Sequence, residues 1–146
     1  RRLVGLLREQ GAMPEFSPQP GLGTIDTLLD GVRAAGLPVE LDVEGAPREL
    51  TPGMDLAAYR VVQEALTNAL KYAGPAHAWV AVSWRDAELE LEIANDGRGD
   101  GDGTGGGHGL SGMRERVSLY GGEIESGPRD GGGYVVRARL PLEEVA

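Results

Sequence analysis

The feature that most constrains the fold of this chain is a glycine-rich tract in its second half. Nine of the 24 glycines lie between positions 97 and 112. A stretch of this composition does not continue a helix or a strand, because glycine loses the most conformational freedom on folding. The residues that follow, LSGMRERVSLY at 110–120, have the apolar spacing of an amphipathic helix. The tract therefore predicts a long loop that leads directly into a helix N-terminus, where free backbone N–H groups favour a phosphate.

Two other interpretations of the tract are weaker. Residues 107–112 read GHGLSG and match GxGxxG, but a dinucleotide fingerprint needs a buried strand immediately before its first glycine, and here glycine and aspartate precede it. The VAIK, HRD and DFG motifs of eukaryotic-type protein kinases are absent, as is a Walker A motif. A disordered linker is the remaining alternative, yet a linker does not end in an amphipathic helix. We therefore expect a phosphate-binding loop that closes over its ligand as a lid.

The rest of the chain alternates helices and strands. Apolar spacing and Gly/Pro stop signals predict a short helix from Thr24 to about Gly36, a half-buried strand at 39–43, a long helix at 55–73, strands near 77–84 and 87–94, the helix at 110–120, and strands near 123–126 and 134–141. Neighbouring strands in the sequence indicate antiparallel hairpins. We predict an α+β fold, a two-layer α/β sandwich whose mixed, mostly antiparallel sheet is covered on one face by about three helices.

The first part of the chain differs from the rest. Residues 1–10 (RRLVGLLREQ) have the pattern of the last turns of a helix, and the Pro- and Gly-rich stretch after them is typical of a linker. We therefore divide the chain into a helix end with linker at 1–21 and a folded domain at 22–146. Because the chain begins at Arg1 without a Met, we expect it to be a fragment of a longer protein.

Composition excludes several classes of function. The formal net charge of −9 and a pI near 4.7 argue against binding to nucleic acid or to an anionic membrane surface. The absence of cysteine excludes disulfides, thiolate metal sites and a cysteine nucleophile. No apolar run approaches the ~18–20 residues of a membrane span. We expect a cytoplasmic domain without direct membrane contact.

One face of the long helix carries an unusual set of polar residues. At 100° per residue, Glu64, Asn68 and Lys71 fall within about 60° of one another, with Tyr72 at the edge. The opposite face is apolar and comprises Val62, Leu66, Ala69 and Ala73. A solvated helix face is the ordinary explanation, but Asn is a poor helix former. The carboxamide and carboxylate oxygens are hard ligands that suit Mg²⁺, and the ammonium suits a phosphate.

The strand before the glycine tract ends in polar residues. Its apolar residues alternate with glutamates, and continuing that alternation puts Asn95 on the helix-covered face and Asp96 on the other. The sequence Asn95-Asp96-Gly97 is also typical of an ordinary turn. Both interpretations stay open at this level.

Three segments resemble the N, G1 and G2 boxes of the GHKL ATPases, which have the Bergerat fold. They are VVQEALTNALKYA at 61–73, IANDGRG at 93–99 and GGHGLSGMRERV at 106–117. More narrowly, they are similar to the ATP-binding catalytic domain of bacterial two-component sensor histidine kinases, in the subfamily paired with helix-turn-helix response regulators. The resemblance covers about residues 22–142 and has the three boxes in order.

The resemblance implies ATP and Mg²⁺ as cofactors and gives the polar residues roles. Asn68 would ligate Mg²⁺, and Glu64 would hold its water shell or assist proton transfer. Lys71 would touch phosphates, and Tyr72 would lie near the base or ribose. Asn95 occupies the position where the family has an adenine-accepting Asp. The other residues implied in nucleotide binding are Asp96, Gly97, Gly99, Gly107, His108, Gly109 and Leu110.

The resemblance also implies partners. Residues 1–10 resemble the end of the dimerisation helix that precedes such a domain. One implied partner is therefore the chain's own upstream dimerisation and histidine phosphotransfer domain, which forms a homodimer in the full-length protein. The other implied partner is a response regulator. His77 begins a strand and His108 lies in the lid, so neither resembles the phosphoacceptor histidine. Two alternatives keep the fold: a regulatory ATP-binding module, supported by Asn95 and by Tyr134 where the family often has Thr, and an anti-sigma-type serine kinase, which the helix tail disfavours.

Overall fold

In a computed structural model of the protein, the described residues are 19–97 and 112–142, and they form a five-stranded sheet with helices packed on one face. The elements in these ranges are a 3₁₀ turn at Leu22–Thr24, α1 at Ile25–Ala34, β1 at Val39–Glu44, α2 at Pro52–Tyr72, β2 at Ala78–Trp84, β3 at Glu88–Asn95, α3 at 112–118, β4 at Glu123–Pro128 and β5 at Tyr134–Pro141. The predicted two-layer α+β fold is confirmed.

The sheet is mixed and has the strand order β1-β2-β3-β5-β4. The predicted hairpins are present, because β2 pairs with β3 and β4 pairs with β5 in antiparallel fashion. β1, in contrast, pairs with β2 in parallel. A parallel pair needs a long crossover connection, and α2 provides it.

The core lies between the helices and one face of the sheet. Its largest fully buried side chains come from the helix layer and from the sheet, and they comprise Leu29, Val61, Val62, Leu66, Val80, Leu89, Leu91, Val117 and Leu140. The other face carries ion pairs between neighbouring strands, such as Arg137 with Glu92. Within the described residues no charged or polar side chain is buried in the core.

Helix α2 begins at Pro52, three residues before the start that the sequence pattern predicts. The Oγ1 atom of Thr51 accepts a hydrogen bond from the backbone N–H of Met54 (3.3 Å), and proline occupies the first turn. Both features stabilise a helix N-terminus, because they satisfy or remove backbone donors that lack a helical partner.

Two apolar residues lie in positions that the sequence pattern did not predict. Leu119, expected on the buried side of the last helix, is 79% exposed, since α3 ends at 118 and the chain turns away before Gly121. Val43 is 48% exposed, so β1 is buried at its start and exposed at its end, not half-buried along its length. In both cases the helix–sheet packing ends before the apolar pattern does.

No helix in the described part of the chain is long and apolar enough to cross a membrane.

Candidate functional site

The polar ridge of α2, defined as Glu64, Asn68 and Lys71, lies on the side of the helix away from the buried core. Glu64 and Asn68 are half-buried, and Lys71 is exposed. The side chains of these residues form no hydrogen bond or ion pair with any described residue. Tyr72, at the edge of the ridge, is 54% exposed. The ridge therefore presents two oxygen acceptors and one ammonium group that have no partner among the described residues.

Asn95 ends β3 on the helix-covered face of the sheet. Its partners across the sheet are Ala78 on β2 and Tyr134 on β5. Ala78 is buried in the core, which fixes the face on which Asn95 also lies. The backbone N–H of Gly97 donates to Asn95 Oδ1 (2.8 Å). Asn95 is thus both a residue of the helix-covered face and the first residue of an Asx turn.

Asp96 connects the end of β3 to the residue that precedes β2. The backbone N–H of His77 donates to Asp96 Oδ1 (2.7 Å), and the backbone N–H of Asp96 donates to the His77 carbonyl oxygen (3.1 Å). The second carboxylate oxygen lies 3.9 Å from His77 Nδ1. This role was not predicted from the sequence, although His77 and Asp96 extend the antiparallel register of β2 and β3 by one pair.

Gly97 brings the turn against the C-terminal end of α2. A Cβ atom at this position would lie 2.5 Å from the Cβ of Ala73 and would overlap the Ala73 carbonyl oxygen. Only glycine permits this approach, because real Cβ contacts are longer. The contact joins the end of the polar ridge to the Asn95–Gly97 turn.

A second glycine also lies close to the backbone of this turn. Gly133 precedes β5 with a φ of +102°, and a Cβ atom there would overlap the carbonyl oxygen of Asn95. Gly133 is not among the site residues predicted from the sequence. Its only sequence signal is the run Gly131-Gly132-Gly133, which is also typical of an ordinary hairpin turn.

Tyr134 occupies a position next to Asn95, and its hydroxyl has a protein partner. The Tyr134 hydroxyl and Ser126 Oγ are 3.3 Å apart, and either can donate. The side chain is half-buried against the core. Tyr134 therefore places its aromatic ring beside Asn95, while its hydroxyl is directed to Ser126 on β4.

The other residues that the sequence analysis selected, Gly99, Gly107, His108, Gly109 and Leu110, lie outside the described residues. Among the described residues there is no group of three or more His, Asp or Glu side chains that could hold a metal by themselves.

Comparison with known proteins identifies the class. Residues 53–144 match the family described as histidine kinase-, DNA gyrase B-, and HSP90-like ATPase, and the chain belongs to this family. Membership of an ATPase family implies that the domain binds a nucleotide.

One curated relative and several solved structures are similar to the chain. Sensor histidine kinase YxjM of Bacillus subtilis (strain 168) is 36% identical over 124 residues, which cover 84% of this chain and 30% of YxjM. The blue-light activated histidine kinase EL346 of Erythrobacter litoralis aligns with a TM-score of 0.69 at 21% identity, over 84% of this chain and 42% of that one. The mycobacterial sensor histidine kinase MprB aligns with a TM-score of 0.64 at 20% identity, over 84% of this chain and 96% of that one. The structural likenesses establish the shared fold.

Proposed function

We propose that this chain is the ATP-binding catalytic portion of a sensor histidine kinase. In this proposal it binds ATP with Mg²⁺ and transfers the γ-phosphoryl group to a histidine on a dimerisation domain, from which the group passes to a response regulator. The chain spans 30% of the length of YxjM, so the acceptor and the regulator belong to the proposal. The domain would work on the cytoplasmic side of the cell, where ATP is available.

The observation that carries the proposal is the packing of Gly97 on Ala73. It joins the ridge of α2, which has the chemistry for phosphates and metal, to the Asn95 turn, which has the chemistry for a base. A nucleotide needs both kinds of group at one site. Phosphoryl transfer asks the protein mainly to position its reactants and to stabilise charge.

The residues present fit a magnesium ion. Asn68 and Glu64 are one helical turn apart and half-buried, and their oxygens have no partner among the described residues. Mg²⁺ commonly keeps several waters and takes only one or two protein oxygens together with the substrate phosphates. Asn68 would hold the ion directly, and Glu64 would hold its water shell. When bound, the ion would neutralise charge on the phosphates.

The other side chains have roles in the proposal that follow from their positions. Lys71 would place a positive charge near the phosphates, and Tyr72 would contact the base or ribose. Asn95 would face the base. We also assign phosphate contacts to the loop residues Gly99, Gly107, His108, Gly109 and Leu110 from the resemblance of their motif.

Calorimetric titration tests the binding half of the proposal. We expect ATP and ADP to bind the chain in the micromolar to millimolar range, with an affinity that falls when Mg²⁺ is chelated. No binding of either nucleotide at millimolar concentration would contradict the proposal.

Radiolabelled ATP tests the transfer half. The chain alone should form no phosphohistidine, since His77 immediately precedes β2 and its backbone N–H is bound to Asp96 Oδ1. Addition of a separately expressed dimerisation domain from the same parent protein should yield acid-labile phosphate on that domain. Acid-stable phosphate on a serine would favour the serine-kinase alternative, and binding without transfer would favour a regulatory module.

A further inference from the structure

The carboxamide of Asn95 is held in one orientation. The backbone N–H of Gly97 can donate only to an acceptor, so the atom facing it at 2.8 Å is the oxygen Oδ1, not the nitrogen Nδ2. The Asx hydrogen bond therefore fixes the orientation of the amide. Nδ2, with two N–H donors, is directed away from Gly97.

The protein offers no described partner for these two donors. Across the sheet Asn95 is flanked by Ala78, which has no polar side-chain atom, and by Tyr134. The Tyr134 hydroxyl is engaged with Ser126 Oγ. Asn95 makes no side-chain hydrogen bond to a described residue other than the one with Gly97. Its Nδ2 atom is thus available to a ligand on the helix-covered face.

A donor at this position changes which bases the site can accept. An adenine ring presents an amino group at position 6, which donates, whereas a 6-oxopurine presents an oxygen there, which accepts. A carboxylate can only accept hydrogen bonds, so where it faces position 6 it would favour the amino group and repel the oxygen. The Asn95 carboxamide has a donor beside the remaining lone pair of Oδ1, so it repels neither.

We infer that Asn95 determines base specificity and that the site accepts 6-oxopurine nucleoside triphosphates as well as ATP. This inference rests on the proposed nucleotide-binding function and deepens it. An acceptor-only side chain would leave one polar group mispaired, and we expect it to discriminate between the two classes by about tenfold, equivalent to about 1.4 kcal/mol. The carboxamide removes that discrimination.

Calorimetric titration with ATP and ITP in Mg²⁺ tests the inference on the whole 146-residue chain. ITP is the appropriate probe because its base differs from adenine only in the oxygen at position 6 and the proton on the neighbouring ring nitrogen. We expect ITP to bind within about tenfold of ATP. Asn95→Asp keeps an oxygen that accepts from the Gly97 N–H. It should raise the ratio of the ITP dissociation constant to the ATP dissociation constant by about tenfold or more.

Asp55→Asn, at the N-terminal end of α2, is the matched control. It exchanges a carboxylate for a carboxamide whose oxygen can still accept from the backbone N–H of Leu22, so the ratio should stay within about twofold of wild type. Thermal melting of each variant verifies that it is folded. If the wild-type chain binds ATP but Asn95→Asp leaves the ratio of the two dissociation constants unchanged, the inference is overturned and the proposed function stands. If the wild-type chain binds neither nucleotide, the proposed function is overturned as well.

Discussion

The two ends of helix α2 use polar residues in opposite ways. At the N-terminal end Asp55 Oδ1 accepts a hydrogen bond from the backbone N–H of Leu22 (2.9 Å), and Thr51 caps the helix. At the C-terminal end the side chains of Glu64, Asn68 and Lys71 have no partner among the described residues. Both ends are polar and partly accessible, so exposure does not distinguish them.

The difference suggests a way to distinguish a polar side chain that stabilises the fold from one that binds a ligand. A side chain that stabilises the fold finds its partner within the fold, because an unpaired polar group that is partly withdrawn from water costs free energy. A side chain that serves a ligand is left without one. If this comparison is right, substitutions at the N-terminal end change stability, and substitutions at the C-terminal end change nucleotide binding.

The largest effect should come from Gly97, where the C-terminal end of α2 meets the turn. Gly97→Ala forces a Cβ atom against Ala73, and we expect it to lower the free energy of unfolding by about 2–3 kcal/mol and to weaken ATP binding. Chemical denaturation and ATP titration measure the two effects. Gly31→Ala is the control: it lies in α1 with open space around it and should stabilise the chain by about 0.5–1 kcal/mol. Equal effects of the two variants would show that the close approach at Gly97 has no special role.

At the N-terminal end, Asp55→Ala should lower the free energy of unfolding by about 1–2 kcal/mol, because it leaves the Leu22 N–H without its acceptor. ATP affinity should not change. Asp26→Ala, which removes a first-turn carboxylate of α1, should cost less, since only its interaction with the helix dipole is lost. A fall in ATP affinity without a fall in stability for Asp55→Ala would reverse the comparison.

Asn68→Ala should have the opposite signature. We expect ATP affinity in Mg²⁺ to fall by about tenfold, equivalent to about 1.4 kcal/mol, with a midpoint of unfolding close to wild type. Gln63→Ala is the matched control, since it removes a carboxamide from the same helix. The Gln63 Oε1 atom already accepts a hydrogen bond from the Arg60 guanidinium (2.6 Å). If Asn68→Ala lowers the melting temperature and leaves the magnesium dependence intact, the ridge is an ordinary solvated face.

The smallest effect should come from Lys71. Lys71→Gln is expected to weaken ATP binding by about threefold at low salt and less at high salt, because an exposed charge is screened by counterions. Arg60→Gln, an exposed cation on the same helix, should not change ATP affinity. Titrations at two ionic strengths separate these outcomes, and a salt-independent effect would argue against a phosphate contact.

Local patterns in the sequence determined most of the secondary structure and part of the site. The alternation of Leu89, Leu91 and Ile93 places Asn95 on the correct face, and the 3.6-residue period separates Asn68 from the buried side of α2. These features depend on residues within one element, so their periodicity can be read directly from the local sequence. The turn chemistry of Asn95-Asp96-Gly97 was equally visible, and the structure shows that the face and the turn are compatible.

The tertiary structure alone decided how these elements meet. The parallel pairing of β1, the hydrogen bond of Asp96 to His77, and the approaches of Gly97 to Ala73 and of Gly133 to Asn95 all join residues far apart in the chain. The exposure of Leu119 was decided in the same way. No local period encodes where one element ends against another, because that depends on which surfaces pack together and how far their contact extends. The sequence by itself thus determined which residues are candidates to carry the chemistry, and the packing of distant segments determined which of their atoms have partners among the described residues.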